Sequence, residues 1–224
     1  MNVTVVIPAC QEAKHLRAVV QHVAPFAHEV VVVDDGSTDA TAEVARQAGA
    51  IVLRHLTNRG YGAALTTGTA YALAHGADVV VHFDADGQFE ATEIPKLLGV
   101  LTPGVPSVAL GSRFKGQVIG IPWFRKATLK VAILFTWAVS GLKLSDAHNG
   151  FRAFTAEALR LMNLHQDRMA YSSEVVDEIA RLTIPWVEVP VTVRYTTESR
   201  QGSKQGKLPA LKIVKDLILG KLIR

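Results

Sequence analysis

Val79 to Phe89 reads VVVHFDADGQF, and this stretch decides the fold. An apolar run that stops at Asp84 and Asp86 is a buried strand bringing two carboxylates to its carboxyl end, because residues two apart on an extended chain point the same way. Adjacent carboxylates repel, so the pair calls for a divalent cation beside it. Mg²⁺ or Mn²⁺ held by one or two carboxylates fills its remaining positions with water and substrate phosphate oxygens. Gln88 offers a further neutral oxygen, which makes Asp84, Asp86 and Gln88 the candidate metal ligands.

The same construction recurs upstream. Glu29 to Asp39 reads EVVVVDDGSTD, four valines ending at Asp34 and Asp35 before a Gly-Ser-Thr-Asp turn. Thr38 or Asp39 can cap the alanine-rich helix expected from Ala40 to Ala48, which ends at Gly49. Capping needs one carboxylate, and Asp39 supplies it. Asp35 is read instead as a nucleobase contact, since a carboxylate accepts the imide N–H of uracil or the N1–H and N2–H₂ of guanine. A third strand, Val3 to Ile7, ends in Pro8-Ala9-Cys10, and Gln11-Glu12 opens a helical pattern through Val23. Ligands of open α/β sheets bind beyond the carboxyl ends of the strands. The junctions IPACQE, VVVDDGSTD and FDADGQF therefore converge on one edge.

On these three motifs, in this order and spacing, the chain resembles the family 2 glycosyltransferases of GT-A fold, and within them the polyprenyl-phosphate sugar transferases of the dolichyl-phosphate mannose synthase type. The resemblance runs from Val3 to about Lys207. It implies an α/β fold with a mostly parallel central sheet flanked by helices. It also implies inverting, metal-dependent transfer of a hexose from a UDP- or GDP-sugar to a dolichyl or undecaprenyl phosphate. By the same likeness Pro8, Ala9, Glu12, Asp34, Asp35, Asp84, Ala85, Asp86 and Gln88 face the nucleotide sugar. Arg113 in Gly111-Ser112-Arg113-Phe114 corresponds to an arginine near the donor phosphates, and Arg125 to one that opens a helix. Ser145-Asp146 and Gly150-Phe151-Arg152 match the family's S-D-x-x-x-G-F-R, and Glu174 follows Tyr171 as the family's acid follows a tyrosine. A basic loop, YTTESRQGSKQGK from Tyr195 to Lys207, carries Arg200 and Lys204, spaced differently from the family's R-x-x-G-x-S-K. Asp86, Arg113, Asp146 and Arg200 are the implied catalytic set.

The chemistry makes its own demands. A departing nucleoside diphosphate needs positive charge, from the cation and from Arg113, Arg200 or Lys204. An acceptor phosphate monoester, with its second pKa near 6, is ionised around neutral pH and needs no strong base. The eight histidines show no metal-ligand spacing and read as structural. Asp146 and Glu174 either orient a substrate hydroxyl or pair with Arg125 or Arg152, and the residues leave both readings open. Asn58-Arg59-Gly60-Tyr61-Gly62 lacks the Walker spacing and reads as a helix start, with Asn58 and Arg59 toward the donor pocket.

At 224 residues, with no Pro/Gly/Ser-rich linker or repeat, one catalytic domain over 1–207 accounts for the strand-helix alternation. Strands are expected near 3–8, 29–34, 51–54, 78–84, 107–111 and 186–194. Helices are expected near 11–24, 39–48, 60–75, 92–101, 123–142, 155–162, 172–182 and 208–223. The single Cys10 excludes an internal disulfide and suits a reducing compartment, and the polar Pro8–Glu12 stretch argues against a signal peptide. A cytoplasmic protein is expected.

Charge is uneven. Residues 1–198 carry 17 basic and 19 acidic side chains, and 199–224 carry 7 and 1. The segment 208–224 is both basic and amphipathic, which fits either a membrane interface or core packing. TLKVAILFTWAVSGL, Thr128 to Leu142, is apolar nearly all round, basic-flanked and too short to span a bilayer. Peripheral contact with the cytoplasmic membrane face is the expectation, with no nucleic-acid partner and with a homo-oligomer or membrane-protein partner left open. A glycan or other hydroxyl acceptor is the alternative within the family. A sugar nucleotidyltransferase would carry a Gly-rich, Arg-containing loop directly after the first strand, which IPACQEAKH lacks.

Overall fold

The computed structural model describes residues 1–121, 123–146 and 149–195, apart from the side chains at 124, 125, 135 and 139. Seven strands form one sheet: β1 (Val3–Ala9), β2 (Glu29–Asp34), β3 (Ile51–Arg54), β4 (Val79–His82), β5 (Val108–Ile119), β6 (Arg152–Thr155) and β7 (Trp186–Arg194), in the order β3-β2-β1-β4-β6-β5-β7. All neighbouring pairs are parallel except those of β6, which runs antiparallel to both β4 and β5. The valine runs of β1, β2 and β4 are buried on both faces, as crossover helices on each side require.

Among the described residues the α-helices are α1 (Leu16–Val23), α2 (Thr41–Gln47), α3 (Tyr61–Ala74), α4 (Ile94–Leu98), α5 (Trp123–Ser140), α6 (Ala156–Leu161) and α7 (Tyr171–Leu182). One core joins the sheet to α1, α2 and α4 through Leu16, Val20, Ala45 and Leu97. The other joins it to α3, α6 and α7 through Leu65, Leu159, Val175 and Ile179. Close approach of α3 to the sheet depends on Gly68, where a Cβ would stand 2.3 Å from Val6 Cγ1.

Register brings the functional ends together. Ala9 pairs with Asp34, and Val6 with His82, so IPACQE, DDGSTD and FDADGQF open on the same edge. Because β6 is antiparallel, its beginning meets that edge too: His82 pairs with Arg152, and Gly150-Phe151 precede it. Below the acid loop, Phe83, Phe89 and Phe151 pack with ring centroids 5.1–5.6 Å apart.

Four expectations change. The first helix begins at Leu16 rather than residue 11, because Gln11 adopts φ 60° and residues 12–15 form a turn. Residues 91–93 make a 3₁₀ turn before α4, which ends at Leu98. β5 continues to Ile119, pairing with β7 past a register shift between Ser112 and Gln117. β6 takes residues 152–154, which the sequence left unassigned, and Thr155, the expected start of a helix, which instead caps α6.

Candidate active site

At the shared edge lies a cavity of about 620 Å³, lined by Pro8, Ala9 and Cys10 from β1 and its loop, by Asn58, Gly60 and Tyr61 ahead of and within α3, and by the acid loop after β4. Among the described lining residues are four carboxylates, Glu12, Asp35, Asp84 and Asp86, and a single cationic side chain, Arg168.

Asp84 and Asp86 open into this cavity, and their neighbours keep them there. The Tyr61 hydroxyl donates to Asp84 Oδ1 at 3.0 Å. Gly150 leaves the room that this pair occupies: a Cβ there would stand 2.5 Å from Asp84 Oδ2 and 2.7 Å from the Tyr61 hydroxyl oxygen. Burial, and then the charge of Asp86, push the Asp84 carboxyl up to about 7. Burial with Asp84 beside it also raises the Tyr61 hydroxyl well above its ordinary range, so Tyr61 remains a donor. Asp86 Oδ1 accepts the Gln88 N–H at 3.0 Å, while the Gln88 carbonyl accepts the Arg194 N–H at 2.9 Å and ties the loop to β7. The Glu12 carboxyl is raised by burial and by Asp86. A carboxylate raised first by burial and then by a second carboxylate beside it is one that a divalent cation would hold in its ionised form. No group of three or more His, Cys, Asp or Glu among the described residues encloses a metal, so the fit rests on the acid pair with substrate oxygens and water completing the shell.

The second acid junction divides its labour. Asp34 is fully buried: it accepts the Ser37 N–H at 3.0 Å, lies 3.1 Å from Arg54 Nε, and closes the turn without reaching the cavity lining. Asp35 lines the cavity and is anchored from behind. Its oxygens accept the Arg59 N–H at 2.9 Å and the Gly60 N–H at 2.7 Å, and Oδ1 lies 2.7 Å from His55 Nδ1, whose Nε2 meets Thr67 Oγ1 at 2.9 Å. Ser37 and Thr41 accept the N–H groups of Gln11 and Glu12, which joins the first two loops. Asp39 accepts the Thr41 N–H at 3.0 Å, but the residue at the cap position is Ala40, so neither Thr38 nor Asp39 caps α2 as expected.

The matching description covers most of the chain: the Glycosyl transferase family 2 profile fits residues 4–162. The chain belongs to glycosyl transferase family 2. It is 30% identical over 204 residues to the undecaprenyl-phosphate mannosyltransferase of Micrococcus luteus, covering 86% of this chain and 83% of that protein. To the UDP-N-acetylglucosamine--dolichyl-phosphate N-acetylglucosaminyltransferase of Methanococcus voltae it is 28% identical over 216 residues, 87% and 86% of the two chains. The solved structure of glucosyl-3-phosphoglycerate synthase from Mycobacterium tuberculosis, in complex with Mn²⁺, UDP-glucose and phosphoglyceric acid, superposes with TM-score 0.67 at 21% identity, over 90% of this chain and 74% of that one. The fold is GT-A, and the protein is a glycosyltransferase.

In this family 2 enzyme the deeper residues of the motifs act on one another. Arg113 is buried; its Nε donates to Asp146 Oδ2 at 2.6 Å, its backbone N–H donates to the same oxygen at 3.0 Å, and its Nη1 donates to the Tyr195 hydroxyl at 2.5 Å. Asp146 thus pairs with Arg113. Glu188 holds that turn, accepting from Ser145 N–H at 2.7 Å, Ser145 Oγ at 2.8 Å and Asp146 N–H at 3.2 Å, with Lys115 Nζ 2.9 Å from its other oxygen. Arg152 is buried, donating to the carbonyls of Asn149 and Ser172, and burial lowers its pKa. Glu174 accepts the N–H groups of His165 and Gln166 at 3.0 and 2.9 Å and fixes the loop ahead of α7. Arg59 turns to Asp167 at 3.7 Å, while Asn58 lines the cavity.

Of the expected site residues, Pro8, Ala9, Glu12, Asp35, Asp84, Ala85 and Asp86 meet in one cavity. Asp34 adjoins it in the chain and Gln88 by its hydrogen bond to Asp86, while Arg113 and Asp146 bond to each other behind it, and none of the four is among its described lining residues. The Arg125 side chain, His148, Arg200, Lys204 and the expected helix over 208–223 lie outside the described residues. Tyr61, Arg168 and Met169 join the lining unannounced by any motif.

Proposed function

We propose that this family 2 enzyme transfers a hexose, with inversion, from a UDP- or GDP-sugar to a polyprenyl phosphate, using Mg²⁺ or Mn²⁺. The observation that carries this reading is the Asp84–Asp86 pair facing Pro8, Ala9 and Asp35 across one cavity. The names of the Micrococcus and Methanococcus relatives support the acceptor class.

The nucleotide lies against Pro8 and Ala9, and its base meets Asp35. A carboxylate has about four acceptor sites, of which His55, Arg59 and Gly60 take three, leaving one for a base N–H. Asp84 and Asp86 hold the cation, with Gln88 beside them. A divalent cation, when bound, neutralises charge developing on the leaving diphosphate. The positive charge that the leaving diphosphate needs is assigned, on the family likeness, to Arg113, Arg125, Arg200 and Lys204.

The acceptor phosphate oxygen, already ionised, attacks the anomeric carbon from the face opposite the diphosphate; the bond to the diphosphate breaks and configuration inverts. No described residue is needed as a base. A hydroxyl acceptor would need one, and Asp146 is committed to Arg113. The lipid reaches the site at a membrane surface. α5 exposes Trp123, Val131, Leu134 and Trp137, with Lys143 Nζ 5.3 Å from the Trp137 ring centroid, while no described helix is long and apolar enough to cross a bilayer.

The test is a panel of labelled UDP- and GDP-sugars incubated with undecaprenyl phosphate. Label entering the organic phase, and lost in EDTA or in Asp86→Asn, supports the reading. Failure of every donor to label the lipid overturns it.

A further inference from the structure

We propose that Arg168 is a substrate-phosphate ligand of this site, the guanidinium that offsets its four carboxylates. The inference rests on the reading that the cavity takes a nucleotide sugar and a phosphate acceptor. Among the described lining residues only Arg168 carries positive charge, against Glu12, Asp35, Asp84 and Asp86. A nucleoside diphosphate and a phosphate monoester together bring several negative charges into this acidic cavity. A cation at the acid pair offsets charge on that side only, and the wall formed by the loop ahead of α7 offers Arg168.

The structure holds that wall firmly and leaves the guanidinium open. Glu174 accepts the N–H groups of His165 and Gln166, and the Asp167 carbonyl accepts the Ala63 N–H at 3.0 Å, seating the loop on the first turn of α3. Two glycines make that seat possible. A Cβ at Gly62 would stand 2.0 Å from the Gln166 carbonyl oxygen, and one at Gly60 would stand 2.5 Å from that of Asp167 and 2.9 Å from Arg168 Cγ. The stem of Arg168 therefore lies over Gly60, whose N–H is held by Asp35. The neighbouring acid, Asp167, takes Arg59 as its ion-pair partner, and Arg168 is exposed and forms no ion pair with a described residue. Exposed Met169 lines the same rim, so a cation and an apolar side chain stand together. A guanidinium presents paired N–H donors suited to two phosphate oxygens, which an ammonium does not.

The phosphate belongs either to the donor or to the acceptor, and the experiment separates them. UDP and GDP binding with Mn²⁺ is measured by calorimetry for the wild type, Arg168→Ala and Arg168→Lys, alongside KM for farnesyl phosphate. Because the side chain is exposed, thermal transitions should coincide. A nucleotide Kd raised about tenfold or more in Arg168→Ala assigns the donor diphosphate, the size expected for losing a charge-assisted bond. An unchanged nucleotide Kd with farnesyl phosphate KM raised as much assigns the acceptor. In either case Arg168→Lys should recover part of the loss. If the wild type binds nucleotide and turns over, and both constants stay within twofold in Arg168→Ala, the inference is wrong and the functional reading stands. If the wild type binds neither UDP nor GDP, the functional reading fails and the inference falls with it.

Discussion

Gly150 and Asp84 come from distant parts of the chain and share one space: the carboxylate and the Tyr61 hydroxyl occupy the position that a side chain at 150 would take. β6 is responsible, because its antiparallel course returns residue 150 to the edge where β4 ends. Gly150→Ala should displace Asp84 from Tyr61. We expect a loss of about 1–3 kcal/mol in stability from overpacking and a larger proportional loss in Mn²⁺ affinity. Thermal melts with and without Mn²⁺ check this: the metal-induced rise in Tm should shrink in the variant.

Asp84 also sets a pH dependence. Its carboxyl is pushed up to about 7 by burial and by Asp86, and a ligating carboxylate must give up its proton. Metal affinity should therefore rise with pH by about tenfold per unit below about 7 and level off above it. Mn²⁺ titrations between pH 5.5 and 8.5 test this. A flat profile would show that Asp84 is ionised throughout or does not bind the cation.

Arg113 and Asp146 form a buried pair, and removing one partner strands the other. Asp146→Ala should cost about 3–5 kcal/mol, and Arg113→Met with Asp146→Leu should regain much of it, because a buried pair is costly to break and inexpensive to replace. Denaturant unfolding of the single and double variants measures both. If Asp146→Ala keeps full stability, the pair is not the support of the Ser145–Asp146 turn.

The apolar face of α5 gives a membrane prediction. Leu134→Glu with Trp137→Glu should weaken binding to anionic liposomes, since each substitution places a negative charge among exposed apolar side chains flanked by Lys130 and Lys143. Nucleotide binding should be unchanged. Equal sedimentation of variant and wild type with liposomes would assign membrane contact to another surface.

The sequence reveals those parts of the enzyme that depend on neighbours in the chain. β1, β2 and β4 announce themselves as apolar runs stopped by acid, and parallel register then carries Pro8, Ala9, Asp35, Asp84 and Asp86 to one cavity. β6 escapes because Arg-Ala-Phe-Thr has no strand pattern: Arg152 is buried by bonds to the Asn149 and Ser172 carbonyls, contacts that tertiary structure alone supplies. Asp34 and Asp35 look equivalent as adjacent letters, yet one closes a turn and the other lines the cavity. Glu188 and Glu174 hold N–H groups 42–43 and 8–9 residues away, and no local pattern signals such work. Arg168 is one exposed arginine among many until Gly60 and Gly62 bring its loop against α3.

The acceptor is the centre of the account, and one measurement addresses it. The wild-type enzyme, with Mn²⁺ and the nucleotide sugar that it accepts, is incubated with farnesyl phosphate or with farnesol, and the lipid products are weighed by mass spectrometry. The account predicts one hexose added to farnesyl phosphate and none to farnesol, because the phosphate supplies an ionised nucleophile and no described cavity residue is needed as a base. Glycosylated farnesol, or unmodified farnesyl phosphate alongside hexose transfer to another hydroxyl, would contradict it.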